Sequence, residues 1–176
     1  MQQKLRLAKA FFIVLFFLLA SITLISLIIP SRVAITKSAE VLATPAAIMD
    51  TVTQLETWQR WYPVLEAYKE KISQLTISSN RMSWLHNGKL SSIEFIEQQS
   101  NAIRFVYKSS GNPDVENMIT CFVIENKPNS SNVEWTAVTT LAWYPWEKFS
   151  GLFIEKVTGA SYEYGLANLN KLMYKN

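Results

Sequence analysis

The chain reads as an α+β protein: one membrane-spanning helix, then a seven-stranded antiparallel sheet wrapped around a long carboxy-terminal helix. Three observations predict this. Residues 10–29, AFFIVLFFLLASITLISLII, are apolar throughout and carry no charge. Residues 72–143 show period-two hydrophobic patterning broken by turn signals. From Trp146 onward, apolar positions recur at helical spacing.

The apolar run comes first. At about 1.5 Å rise per residue its twenty residues cover ~30 Å, the thickness of a bilayer's hydrocarbon core. Ser21, Thr23 and Ser26 can bond back to their own helix carbonyls, and Pro30 ends the helix by removing a donor. A cleaved signal peptide is the competing reading. It would have an apolar core of ~7–15 residues and a small-x-small site, whereas this run is longer and leads into Ile28-Ile29-Pro30. A lipoprotein signal would need a cysteine directly after the run, and the sole cysteine is Cys121.

Charge gives the orientation. Lys4, Arg6 and Lys9 are three of the 17 basic residues, and none of the 14 acidic residues precedes Glu40. The positive-inside bias predicts a cytoplasmic amino terminus and an extracytoplasmic body, periplasmic in a Gram-negative cell. Residues 1–9 are then a basic flank, 10–29 the span and 31–176 a single domain. From Ser31 onward, basic and acidic residues balance, so the pI of about 8.9 marks no basic surface and no nucleic-acid partner is expected. With 49% hydrophobic and 18% charged residues, five glycines and no short repeat, the chain is neither disordered nor collagen-like.

Within the body, Val33, Ile35, Ala39 and Val41 mark a first strand over 32–42. Thr44-Pro45 opens a helix, Thr44 capping and Pro45 fitting the first turn. A second short helix is predicted over 56–61, stopped by Pro63. Strands follow over 72–78, 81–86, 89–98, 102–108, 116–126 and 133–143. Asn87-Gly88, the 111–114 turn and the Pro/Asn/Ser cluster at 127–132 punctuate them. The terminal helix, about eight turns from Trp146, is expected to be interrupted near Gly159.

This order, together with the W-x-x-W-x-P element Trp58-Gln59-Arg60-Trp61-Tyr62-Pro63, the early Ala43-Thr44-Pro45-Ala46 and the stretch from Pro145-Trp146-Glu147-Lys148-Phe149 to Gly165-Leu166-Ala167-Asn168-Leu169, resembles the SRPBCC superfamily. Its members are also called START-like or helix-grip proteins and include the polyketide cyclase/dehydrase and lipid-transport type. The resemblance covers about Arg32 to Tyr174. It implies a helix-grip fold with a deep cavity between sheet and terminal helix that accepts a lipid, sterol or polyketide. It carries no fixed catalytic set, and the amino-terminal anchor departs from the common soluble form.

Catalytic chemistry is sparsely furnished. No P-loop, dinucleotide, C-x-x-C, H-E-x-x-H or G-x-S-x-G pattern occurs. His86, the only histidine, is expected to be solvated at a hairpin tip, and one His plus one Cys cannot build an N/S zinc site. Cys121 reads as a small buried hydrophobe. No catalytic residue, metal ligand or cofactor is therefore expected.

The positive signal is aromatic. Trp84, Phe105, Tyr107, Phe122, Trp135, Thr139, Phe153 and Tyr162 are the candidate cavity lining, Tyr107 and Thr139 supplying polar groups. Trp58 and Trp61 are expected to plug the core at a helix end. The expected function is non-covalent binding of a hydrophobic small molecule or lipid, with membrane contact through the first helix. A non-catalytic structural or partner-binding module is the alternative. Less favoured is a cyclase- or hydratase-like enzyme, with Glu94, Glu97, Glu134 or Tyr107 as nominal acid–base groups.

Overall fold

The structure, a computed structural model, describes residues 2–67, 69–110, 112, 114–124, 127 and 129–174. Helix α1 (Gln2–Ile28) contains one segment, Lys9–Ile28, long and apolar enough to cross a membrane. Almost none of that segment is buried against the rest of the chain. Its polar side chains bond back as expected: Ser21 Oγ donates to Phe17 O at 2.8 Å and Thr23 Oγ1 to Leu19 O at 2.9 Å.

Strand β1 (Arg32–Val41) leads to α2 (Pro45–Thr53), where Thr44 Oγ1 accepts from Ala47 N at 3.4 Å. A 3₁₀ helix, Leu55–Arg60, follows. Pro63 does not simply stop it: Pro63 opens a further helix, α3 (Pro63–Ala67). Proline at a first helical position loses nothing, because its missing N–H is one the helix would leave unpaired.

A 3₁₀ turn at Lys69–Lys71 precedes β2 (Ile72–Ile77), β3 (Arg81–His86), β4 (Lys89–Gln98), β5 (Ala102–Ser109), β6 (Val115–Val123) and β7 (Ser131–Thr140). The predicted end of the sixth strand at Asn126, and Gly111 and Pro113 of the predicted turn, lie outside the described residues. The last strand stops at Thr140, short of Trp143. Tyr144, extended before Pro145, caps the next helix instead.

All seven strands form one antiparallel sheet in the order β1-β7-β6-β5-β4-β3-β2. Sequential hairpins build it from β2 to β7, and the first strand closes it by pairing with the last, Arg32 opposite Thr140 and Val41 opposite Ser131. At the Asn87-Gly88 turn both residues have positive φ, 51° and 73°, the conformation a two-residue hairpin needs. Register shifts at Phe95/Glu97 and Ser73/Thr76 add local twist.

The chain then forms α4 (Pro145–Gly151) and α5 (Ile154–Tyr174). The interruption therefore falls at Leu152–Phe153, and α5 runs unbroken through Gly159. Helices α2, α3 and α5 cover one sheet face, and the core between the layers contains Trp58, Trp61, Trp84, Phe105 and Trp135, each at most 1% exposed. Close approach of α5 depends on Gly165. A Cβ there would lie 2.8 Å from Pro63 Cγ and 2.9 Å from Trp135 Cζ3.

Candidate functional site

The centre of the helix-grip is solid. Trp58 packs against Trp61, Tyr62 and Phe105 with ring centroids 4.8–5.0 Å apart. Its indole donates to Val52 O at 2.9 Å. Trp135 donates to the buried Asn117 Oδ1 at 3.0 Å. Both tryptophans of the W-x-x-W-x-P element thus plug the core, as their spacing predicts.

The open space lies at one end of this core, as a half-open groove of about 590 Å³. That volume falls within the ~300–1,000 Å³ typical of small-molecule sites. One wall is the Tyr62–Ala67 corner, the floor is the sheet at Tyr107, Val115 and Thr139, and the far wall is α4 and the first two turns of α5. The W-x-x-W-x-P turn aims Tyr62 into it. Tyr62 N donates to Trp58 O at 2.8 Å while Tyr62 O accepts from Leu65 and Glu66 N, so the backbone is fixed on both sides.

Three tyrosines back the groove. Tyr62 stacks on Trp135 at 5.7 Å, Tyr162 lies 4.8 Å from Trp135, and Tyr107 stacks on Trp84 at 6.2 Å. Burial, with a smaller contribution from Tyr107, pushes the Tyr162 phenol up to about 12. Burial likewise drives Tyr62 well above the ordinary tyrosine value, with Tyr162 and Tyr107 adding to it. Both are neutral hydrogen-bond donors at physiological pH and cannot act there as bases. Apolar surface from Pro63, Val64, Ala67, Leu141, Ile154 and Val157 completes the lining, with Ser150, Thr158 and Ser161 as further polar handles.

Of the eight candidate lining residues, Tyr107, Thr139 and Tyr162 face the groove. Trp84, Phe105 and Trp135 stand behind it in the core. Two lie elsewhere. On β6 the residues turned to the core are Asn117, Ile119 and Cys121, so alternation sends Phe122 outward, 47% exposed. Phe153 falls in the break between α4 and α5, where the helical repeat resets, and is 61% exposed. Tyr62 and the α3 wall were hidden in the sequence because Pro63 reads as a stop. Pro63 at a helix start is the signal that could have exposed them.

The remaining titratable candidates lie away from the groove. Glu94 pairs with Lys108 and Glu97 with Arg104, each at 3.7 Å on half-exposed side chains. His86 is half-buried at the end of β3, cross-strand from Ile72 and Lys89, rather than solvated. Cys121 is buried, and burial pushes its thiol up to about 11, away from thiolate reactivity. Among the described residues no group of three or more His, Cys, Asp or Glu side chains could hold a metal.

A curved antiparallel sheet over a terminal helix, with an apolar groove between them, defines a START-like protein. Residues 32–173 match the family described as polyketide cyclase / dehydrase and lipid transport, and the chain belongs to that family. Solved structures agree on the fold. A START superfamily protein from Mycobacterium smegmatis superposes with a TM-score of 0.60 at 15% identity, covering 81% of this chain and 98% of that one. The protein XoxI from Bacillus cereus gives 0.56 at 16% identity, covering 80% and 94%. CalU16 from Micromonospora echinospora gives 0.52 at 14% identity, covering 80% and 73%. No curated protein matches the chain in sequence.

Proposed function

We propose that this protein is a membrane-anchored START-like domain that binds a hydrophobic small molecule or lipid, non-covalently, in the groove between the sheet and the α4–α5 arm. The groove itself carries the reading: about 590 Å³, walled by aliphatic and aromatic side chains and furnished with phenols that stay neutral. A guest burying ~300 Å² of apolar surface there would gain roughly 7 kcal/mol at 25 cal/mol per Å². The phenols of Tyr62 and Tyr162 would orient a polar end. Helix α1 is the anchor, and the Lys4, Arg6 and Lys9 flank favours a cytoplasmic amino terminus with the domain on the opposite side.

Native mass spectrometry of the full chain, released from detergent micelles, tests this. The expected result is a bound apolar molecule in the wild type that is lost when Ser161→Trp fills the groove. Lipid held only along α1 would survive that substitution. An adduct indifferent to Ser161→Trp, or no adduct at all, refutes the groove as a binding site. The aromatic packing that fills the core centre favours a second reading, a non-catalytic module whose surface contacts a partner.

A further inference from the structure

Five large apolar side chains lie exposed around the α4–α5 arm: Trp143, Trp146, Leu152, Phe153 and Val157, each 61–73% accessible. Single exposed hydrophobics are ordinary, but a concentration of this size on one short segment calls for a partner. The ring of Tyr144 ties the first two together, 6.1 Å from Trp143 and 4.5 Å from Trp146. Trp146 lies in the first turn of α4 and Leu152 and Phe153 in the break that follows it, so four of the five exposed side chains are gathered between Trp143 and Phe153. Lys148 and Gly151 are the buried residues of α4.

The position of this arm is what selects the partner. Lys148 Nζ donates to Ile29 O at 3.1 Å and also to Ser31 Oγ. Ile29 is the residue directly after α1, so a buried ammonium clips α4 to the carbonyl end of the candidate span. The contact suits the negative end of a helix dipole. Gly151 allows the other close approach, because a Cβ there would run into Leu141 and Val33 at the open end of the sheet. Helix α4 is therefore held beside the point where the apolar run stops. In a bilayer crossed by α1 that point is the boundary between hydrocarbon and headgroups.

From this juxtaposition we propose that the α4–α5 arm is a membrane-interface seat: Trp143, Tyr144, Trp146, Leu152 and Phe153 insert into the headgroup layer of the leaflet from which α1 emerges. The inference rests on reading α1 as a membrane anchor. Tryptophan and tyrosine suit this depth because their rings are apolar and their N–H and O–H groups stay wet. Interfacial segments of this kind bury their apolar face ~5–10 Å into the boundary. Val157, Ser150 and Glu147 belong to both the arm and the groove wall. Seating the arm would therefore open the groove's mouth at the lipid surface, and a lipid could exchange there without crossing bulk water.

Tryptophan quenching by brominated lipid tests the seat. The full chain is placed in phosphatidylcholine nanodiscs whose acyl chains are brominated either near the headgroup or near the methyl end. Trp58, Trp61, Trp84 and Trp135 are at most 1% exposed, so quenching should fall on Trp143 and Trp146. These are two of six tryptophans, and the expected loss reaches about a third of the emission. Shallow bromine should quench more than deep bromine, and the loss should vanish in W143F/W146F. Emission unchanged by bromine overturns the proposal, as would a pair of tryptophans shielded from water yet unquenched, which would assign the patch to a protein partner. An alkaline carbonate wash separates the two levels. A chain retained in the membrane without quenching loses only the seat. A chain released by carbonate loses the anchor and the seat together, while the mass-spectrometric result for the groove stands by itself.

Discussion

One substitution made at two places in the same helix tests how α5 is held. Gly159→Ala and Gly165→Ala each gain ~1 kcal/mol of helix propensity, since alanine leaves less backbone entropy to lose. At Gly165 the new methyl carbon would sit 2.8 and 2.9 Å from Pro63 Cγ and Cδ and 2.9 Å from Trp135 Cζ3. Carbon pairs rest at about 3.5–4.0 Å, so α5 must retreat by over half an ångström or the tryptophan must turn. Neither is easy, because Trp135 is fully buried and hydrogen-bonded to Asn117. Overpacking of this kind costs ~1–3 kcal/mol, which leaves Gly165→Ala about 1 kcal/mol less stable than the wild type. At Gly159 the nearest atom is Lys37 Cε at 3.1 Å, the far end of a flexible side chain. Swinging it away endangers only the Lys37–Glu163 pair at the surface, and such pairs contribute little. Gly159→Ala should therefore gain 0.5–1 kcal/mol. The two variants should differ by ~2 kcal/mol, or roughly 4–8 °C in Tm for a domain of this size. Thermal melts of the full chain in one detergent, followed by near-ultraviolet circular dichroism of the buried tryptophans, read that gap directly. If Gly165→Ala melts at or above Gly159→Ala, the close contact between α5 and the Trp135 ring is not what holds the helix on the sheet.

The other predictions concern the core and the groove. Trp58→Phe should cost about 1–2 kcal/mol more than Trp61→Phe. Trp58 supplies a buried hydrogen bond to Val52 O in the last turn of α2, whereas the Trp61 indole N–H has no acceptor among the described residues. Equal losses in denaturant titrations would show that the bond to Val52 contributes nothing. For Tyr162 the folded value of about 12 exceeds the ordinary 10. The unfolded chain therefore releases this proton first, and stability falls as pH rises from 10 toward 12 while staying unaffected below that window. Tyr162→Phe should remove part of the alkaline slope, with Tyr62 still contributing in the same direction. An unchanged slope in melts across that range would mean the Tyr162 phenol is not buried against the core.

Local signals settled much of the architecture. Alternation in β5 and β7, the Asn87-Gly88 turn and the Thr44-Pro45 cap each depend on neighbours in the chain, and each appears in the structure where the residues predict it. The apolar run of α1 is likewise a property of consecutive residues. What local chemistry could not give was the outcome of competition between segments. Phe105 and Trp135 look in sequence like Tyr107 and Tyr162, aromatic and correctly spaced. Whether such a ring fills the core or fronts a groove depends on what arrives opposite it. Trp58 and Trp61 come from far earlier in the chain to occupy the centre, and Gly165 lets α5 press onto Trp135. Near Thr139 the Tyr62–Ala67 corner and the α4–α5 arm do not meet over the sheet, and the groove lies between them. The amino-acid order by itself determined the seven strands, the helix after Thr44, a helical carboxy terminus and the exceptional apolarity of the first helix, but not α3 or the place where the terminal helix breaks. Where space remains between them, and that α4 is clipped beside the end of that helix by Lys148, came only from packing, since voids and docking contacts belong to pairs of surfaces distant in the chain.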